Sequence, residues 1–298
     1  MGSLRVGVTL VVLALFTIVT GPLQVVAVRW KWPIVDWVPR TWFRIACWLI
    51  GMNVKIEGTV ARAPVLIAAN HVSWLDIAAI SSVLPVSFVA KSEVAAWPVV
   101  SFLARMQRSV FVERRRRSAT GRAAETIGRR VRDGDIIVLF AEGTTGDGNR
   151  VLPFRSALLG AADPDGKEPI AIQPLAIVYT GIRGLPVGRV ERPLIAWYGD
   201  MDLGPHFARI VGLGALDVVL SFGEPILLAG AADRKVVAEQ CYRAVRRMAG
   251  DIERRGLSSA GHAGRLFSGG SKSAKGAGEG PLAGAAVAPV EPMTSQTS

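Results

Sequence analysis

The chain has 298 residues, two cysteines and a formal net charge of +11, with a pI near 10.4 and a positive mean hydropathy. That length is enough for one large or two small domains with a full core, and the two distant thiols, Cys47 and Cys241, read as reduced cytoplasmic cysteines with neither a disulfide framework nor a metal site. Basic and apolar character together favour an anionic membrane surface over nucleic acid as the partner, and no zinc-finger spacing or RNA-binding aromatic signature is present.

Residues 6–28 carry no charge and are long enough to cross a bilayer. A cleaved signal peptide is the competing reading. The length of the run, Gly21-Pro22 in its middle and the lack of a small-residue cleavage site favour a retained anchor. Arg29, Lys31, Arg40 and Arg44 follow the run, against Arg5 before it. The positive-inside rule then keeps the body of the protein on the cytoplasmic side of the inner membrane. Trp30, Trp32, Trp37, Trp42 and Trp48 crowd the next stretch, where indoles sit at headgroup level. Residues 41–52 are too short to span and fit either an interfacial helix or the first helix of the core. Residues 1–54 are therefore expected to form a membrane anchor with an interfacial helix.

After Gly58, short apolar runs alternate with helical ones, which predicts an α/β domain over 55–256. Strands are expected at 65–69, 86–90, 109–112, 135–140, 170–178 and 217–222, and helices at 74–83, 93–106, 118–132, 154–161 and 232–255. The helix at 118–132 carries a basic face of Arg122, Arg129, Arg130 and Arg132, which suits solvent or anionic lipid. The Gly- and Pro-rich stretch 181–214 resists assignment, and Trp197-Tyr198-Gly199-Asp200 within it suggests no mechanism. From about Leu257 the chain turns to Ser, Gly, Ala and Pro, so 257–298 is expected to be a disordered tail.

Three loops carry candidate chemistry. In Asn70-His71-Val72-Ser73-Trp74-Leu75-Asp76, five residues separate His71 from Asp76, about 140° apart in one continuous helix. They meet if the helix begins at Ser73, with Ser73-x-x-Asp76 as a capping box and His71 in the turn before it. A histidine oriented by a carboxylate is the base half of an acyl-transfer site. The second loop, Ala141-Glu142-Gly143-Thr144-Thr145-Gly146, follows a strand, where active-site residues of α/β sheets gather; a turn carboxylate paired with an arginine is the alternative for Glu142. The third places Arg114 directly after a strand, at the head of the run Arg115-Arg116-Arg117. The chain has no G-x-S-x-G elbow, no phosphate-binding G-x-x-x-x-G-K-[ST] loop and no H-E-x-x-H pair. A base without a protein nucleophile points to a substrate hydroxyl as the attacking group.

Four ordered blocks resemble the glycerolipid acyltransferase family, typified by 1-acyl-glycerol-3-phosphate acyltransferase: Asn70–Asp76 (N-H-x-x-x-x-D), Arg108–Arg114 (G-x-[IL]-[FL]-[IV]-[DE]-R), Phe140–Thr145 (F-P-E-G-T-R) and the Pro-containing Gln173–Val178. The resemblance covers roughly residues 55–225. It implies a mixed central sheet flanked by helices, behind an N-terminal transmembrane or interfacial segment. It also implies direct acyl transfer with no bound cofactor or metal. His71, steadied by Asp76, would deprotonate a lysolipid hydroxyl that attacks the thioester of acyl-carrier protein or coenzyme A. Arg114, Glu142, Gly143 and Thr144, with Lys91, would hold the acceptor's polar head. The departures from the blocks that bear on the acceptor or the backbone are Arg108 for Gly, Ala141 for Pro and Thr145 for Arg. Thr145 cannot make the charge-assisted phosphate contact expected of that Arg. Either Arg155 or another basic residue replaces it, or the acceptor lacks a phosphomonoester. The reading is an O-acyltransferase acting on 1-acyl-glycerol-3-phosphate, with lyso-ornithine lipid as the alternative acceptor. A non-catalytic membrane-binding protein and a thioester hydrolase are the competing classes.

Overall fold

The computed structural model describes residues 2–112, 117–160, 169–228 and 233–267. Helices α1 (Gly2–Trp30) and α2 (Trp37–Ile50) lead into strand β1 (Met52–Glu57). Then come β2 (Val65–Ala69), α3 (Leu75–Val83), β3 (Val86–Lys91), α4 (Pro98–Met106), β4 (Val110–Val112), α5 (Arg117–Arg132), β5 (Ile136–Phe140) and the short α6 (Ser156–Leu159). The chain continues through β6 (Ile170–Ile182), β7 (Leu185–Pro186), α7 (Arg192–Ile195), α8 (Leu203–Leu213), β8 (Leu216–Phe222), β9 (Ile226–Leu228) and α9 (Arg234–Phe267).

The strands form one mixed sheet in the order β1-β8-β6-β2-β5-β3-β4, with β7 and β9 on β6. β2 lies between β5 and β6, parallel to both, and β6 runs antiparallel to β8. This is the mixed sheet that the resemblance implied, within the α/β domain expected from the alternating pattern. All five residues of β2 are buried, as its unbroken apolar run requires of a central parallel strand. Its alternate side chains serve opposite faces. Ile67 and Ala69 join α2, α3 and α8 on one side, while Leu66 and Ala68 join α5 and α9 on the other. Each fully buried Ile or Leu of this kind contributes about 1.5–3 kcal/mol of transfer free energy.

Several elements differ from expectation. The stretch 93–106 breaks into a 3-10 turn (Ser92–Ala96) and α4, because Pro98 holds Trp97 in the extended region (φ −96°, ψ 106°) and takes the first helical position. The unassigned stretch 181–214 contributes the end of β6, then β7, α7 and α8. β1, pairing in parallel with β8 from Met52 to Glu57, crosses residue 54, where the anchor was expected to end. α9 continues to Phe267, past the expected boundary at 256, and 268–298 lie outside the described residues. Arg108 adopts a left-handed φ of 57°, a conformation suited to the glycine of the family block. It forms ion pairs with Asp36 and Asp135.

α1 is apolar and long enough to cross a membrane, yet it is fastened to the body near both ends. Arg5 Nη2 donates to the carbonyls of Leu49, Ile50 and Gly214 at 3.2, 3.1 and 2.8 Å. Gln24 Nε2 donates to the carbonyls of Val35 and Met106, both at 2.8 Å, and Trp42 Nε1 to Thr17 Oγ1 at 2.9 Å. Leu10, Leu15, Ile18 and Val19 remain exposed along its outer side. α2, for which 41–52 offered either a core or an interfacial helix, packs one side into the core. It buries Ala46, Cys47 and Ile50 beneath α3 and exposes Trp37 and Trp48. It ends at Gly51 (φ 80°), where a Cβ would collide with the Gly214 carbonyl oxygen.

Candidate active site

β2 ends at Ala69, level with Phe140 at the end of β5 and with Leu175 inside β6, so two strand ends lie under the loop 70–74 and β6 runs on beside it. Asn70 ties this loop to β6. Its Nδ2 donates to the Ile177 carbonyl (3.0 Å) and its Oδ1 accepts from the Ile177 N–H (2.8 Å). The His71 ring then lies flat on Phe140, with ring centroids 3.7 Å apart and planes 11° from parallel.

α3 begins at Leu75, so Asp76 occupies its first turn and His71 stands before it, as the spacing requires. Half of the expected capping box forms. Asp76 Oδ2 reaches back to the Ser73 N–H at 3.0 Å, but Ser73 Oγ is buried with no partner. The same Oδ2 accepts from the Val72 N–H at 2.7 Å and stands 2.8 Å from His71 Nδ1. Asp76 Oδ1 accepts from the Tyr179 hydroxyl at 2.7 Å. Asp76 is fully buried, and His71 keeps 16% of its side chain exposed. With Nδ1–H donated to Asp76, Nε2 carries the ring's lone pair, the arrangement a general base needs.

Glu142 lies beside this pair, 3% exposed. Its Oε2 accepts from the His71 N–H (3.1 Å) and its Oε1 from the Leu152 N–H (2.8 Å). Neither a substrate-facing carboxylate nor an arginine-paired turn residue describes it, since both oxygens hold backbone. Burial pushes its pKa up to about 8, against the two N–H bonds, which lower it, and with the nearby Asp76 charge adding to the rise. The Gly146 N–H donates to the His71 carbonyl (2.8 Å) and the Trp197 N–H to the Val72 carbonyl (2.9 Å), closing the loop from two further sides. The N–H groups of His71, Val72 and Ser73 are all engaged, the first by Glu142 and the other two by Asp76.

The fold therefore gathers His71, Asp76 and Glu142. Gly143 (φ 73°) makes the turn that follows, and Thr144 is exposed on it. Lys91 does not join them: it is exposed at the end of β3 and pairs with Glu93 at 3.1 Å. Arg114 lies outside the described residues. The backbone N–H of Arg155 bonds the Ala141 carbonyl (2.8 Å), which places that exposed residue beside the third block. No group of three or more His, Cys, Asp or Glu suited to a metal occurs among the described residues.

The sequence model of the family described as Acyltransferase matches residues 52–178, which include His71, Asp76 and Glu142. The chain is 44% identical over 254 residues to the lyso-ornithine lipid O-acyltransferase of Rhizobium meliloti (strain 1021), spanning 83% of this chain and 86% of that one. The chain belongs to the acyltransferase family. This acyltransferase is also 41% identical to the lyso-ornithine lipid O-acyltransferase of Brucella abortus (strain 2308), over 82% of this chain and 94% of the other. It is 32% identical to the 1-acyl-sn-glycerol-3-phosphate acyltransferase of Neisseria gonorrhoeae, over 68% and 76%. The crystal structure of the 1-acyl-sn-glycerophosphate acyltransferase from Thermotoga maritima shares the fold, with a TM-score of 0.53 at 22% identity over 83% of this chain and 98% of that one. The enzyme transfers an acyl group to a lysolipid.

Two partners of the acyltransferase loop were not foreseen. Tyr179 lies just beyond the fourth block, and its place as one of only three tyrosines was the sole signal. His206 is buried in α8, and its Nδ1 accepts from Trp74 Nε1 at 3.0 Å. Burial lowers its pKa, in keeping with that acceptor role.

Proposed function

We propose that this acyltransferase moves a fatty acyl chain from the thioester of acyl-carrier protein or coenzyme A to the hydroxyl of a lyso-ornithine lipid, at the cytoplasmic face of the inner membrane. His71 Nε2 takes the proton of the acceptor hydroxyl as its oxygen attacks the thioester carbonyl. Asp76 holds the imidazolium that forms. The tetrahedral intermediate then collapses, the thiolate leaves, and the proton passes from His71 to the sulfur. The observation that carries the reaction is the 2.8 Å His71–Asp76 contact, with the ring's other nitrogen left for substrate.

The choice of acceptor rests on Thr145, which stands where the block's arginine would meet a phosphate. The similarity to the lyso-ornithine lipid O-acyltransferases of Rhizobium and Brucella supports it. Lysophosphatidate is the second reading, favoured by the Neisseria relative and by Arg155 beside the third block. Arg114, Gly143 and Thr144 remain proposed contacts for the acceptor, while Glu142 acts through the backbone of the loop rather than on the acceptor itself. Membrane seating follows from α1. Held to the body through Arg5 and Gln24, it offers its exposed apolar side to one leaflet with the body on the same side of the membrane. The test is a side-by-side assay of lyso-ornithine lipid and lysophosphatidate with both acyl donors. Faster turnover of lysophosphatidate at equal concentration overturns the acceptor assignment, and wild-type turnover by folded His71→Ala overturns the mechanism.

A further inference from the structure

β6 extends past the level at which β2 ends. Leu175 is the partner of Ala69, so residues 176–182 stand alongside the His71 loop rather than beneath it. Ile177 is gripped by Asn70 through both side-chain amide atoms. Two residues on, and so on the same face of the strand, Tyr179 delivers its hydroxyl to Asp76 Oδ1 at 2.7 Å. The Asn70 clasp fixes the height of β6 against the loop, and the tyrosine uses that height.

The two oxygens of Asp76 have different work. Oδ2 serves His71 Nδ1 and the N–H groups of Val72 and Ser73, while Tyr179 is the partner given to Oδ1. A carboxylate turns about its last torsion. A donor fixed on Oδ1 therefore settles where Oδ2 points, and with it the plane and tautomer of the imidazole. The hydroxyl also draws charge from the carboxylate, which weakens its support for a positive imidazolium.

We propose that Tyr179 is a positioning residue for the His71–Asp76 pair, and that its hydrogen bond sets the base strength of His71 as well as its orientation. The proposal rests on His71 being the base. Among the described residues, Glu142 meets the His71 backbone, the Cys47 thiol in α2 meets the Ala78 carbonyl, and Arg150, Arg192 and Glu253 line the cavity that Tyr179 shares with Asn70 and Val72. His206 is one tryptophan away. Burial raises the pKa of Tyr179 well above its usual value, so its hydroxyl stays a donor through the working range.

Tyr179→Phe keeps the ring and removes the bond. In full-length protein, with the acceptor that the wild type turns over, kcat falls about tenfold while KM for both substrates stays within about twofold. The acid limb of the pH–rate profile moves up by roughly half a unit, because Asp76 then supports the imidazolium more strongly. A fluorotyrosine at 179 keeps shape and contact but donates more strongly, and moves that limb down even if the Phe variant folds poorly. A purely structural role lowers melting temperature without moving the limb, so an unmoved limb in both variants overturns the proposal. His71→Ala run alongside separates the two ideas. If it is inactive while Tyr179→Phe and fluorotyrosine match wild type, only the Tyr179 proposal fails. If it is active, the base assignment fails first.

Discussion

Glu142→Gln tests how the site is held. The carboxyl is buried, and its oxygens accept from the N–H groups of His71 and Leu152. An amide keeps one acceptor oxygen and turns its NH2 toward the other N–H, leaving a buried donor unpaired at a cost of about 1–3 kcal/mol. The variant should therefore be the less stable protein near pH 5.5. The order changes with pH. Glu142 titrates at about 8 in the folded chain against an ordinary value of 4.5. Between those values the folded state keeps a proton that the unfolded state releases. This stability is full below the lower value and is lost as pH rises through the upper one. From about pH 5.5 to 8 the wild type should lose up to about 3 kcal/mol that the glutamine variant, with nothing to titrate, retains. Urea denaturation of both proteins in the same detergent, at both pH values, measures the difference. A gap between variant and wild type that is equal at the two pH values refutes the reasoning.

Three further outcomes follow from the same geometry. His71→Ala should lose about 100- to 10,000-fold in turnover with an unchanged far-ultraviolet spectrum, measured as acyl-lipid formed. Thr145→Arg should raise activity on lysophosphatidate relative to lyso-ornithine lipid by about tenfold, the worth of one charge-assisted bond, and an unchanged ratio counts against the reading of that position. Arg5→Ala removes three carbonyl contacts from the start of α1. It should make that end accessible to protease in detergent, and equal cleavage of both proteins would count against the docking.

The elements nearest the chemistry were the most legible. β2 is an unbroken apolar run, and a short loop separates it from α3 with Asp76 in the first helical turn, so chain order alone brings His71 toward Asp76. β1 was hidden because Met52–Glu57 follows α2 with only Gly51 between them, and its reason to be a strand is Leu216–Ser221, far along the chain. α8 opens on Leu203-Gly204-Pro205, which reads as a turn until the proline is seen in the first turn of a helix, where a missing N–H costs nothing. Tyr179 to Asp76 spans 103 residues. No local pattern encodes such a contact.

The loop blocks differ in how much freedom their residues retain. Asn70, Asp76 and Glu142 are buried, and their side chains are committed to Ile177, to His71 with Tyr179, and to the backbone of the loop. Changing any of them leaves a buried polar group unpaired, so this half of the site is fixed by folding as much as by chemistry. Thr144, Arg150 and Arg155 are exposed around it and carry no such obligation. On the proposed assignment, substitution there changes what meets the acceptor and leaves the base in place. That separation accounts for a chain that keeps the histidine–aspartate pair of its family while replacing the arginine at position 145. On the proposed assignment the base is held from inside the fold and the acceptor is met at its rim.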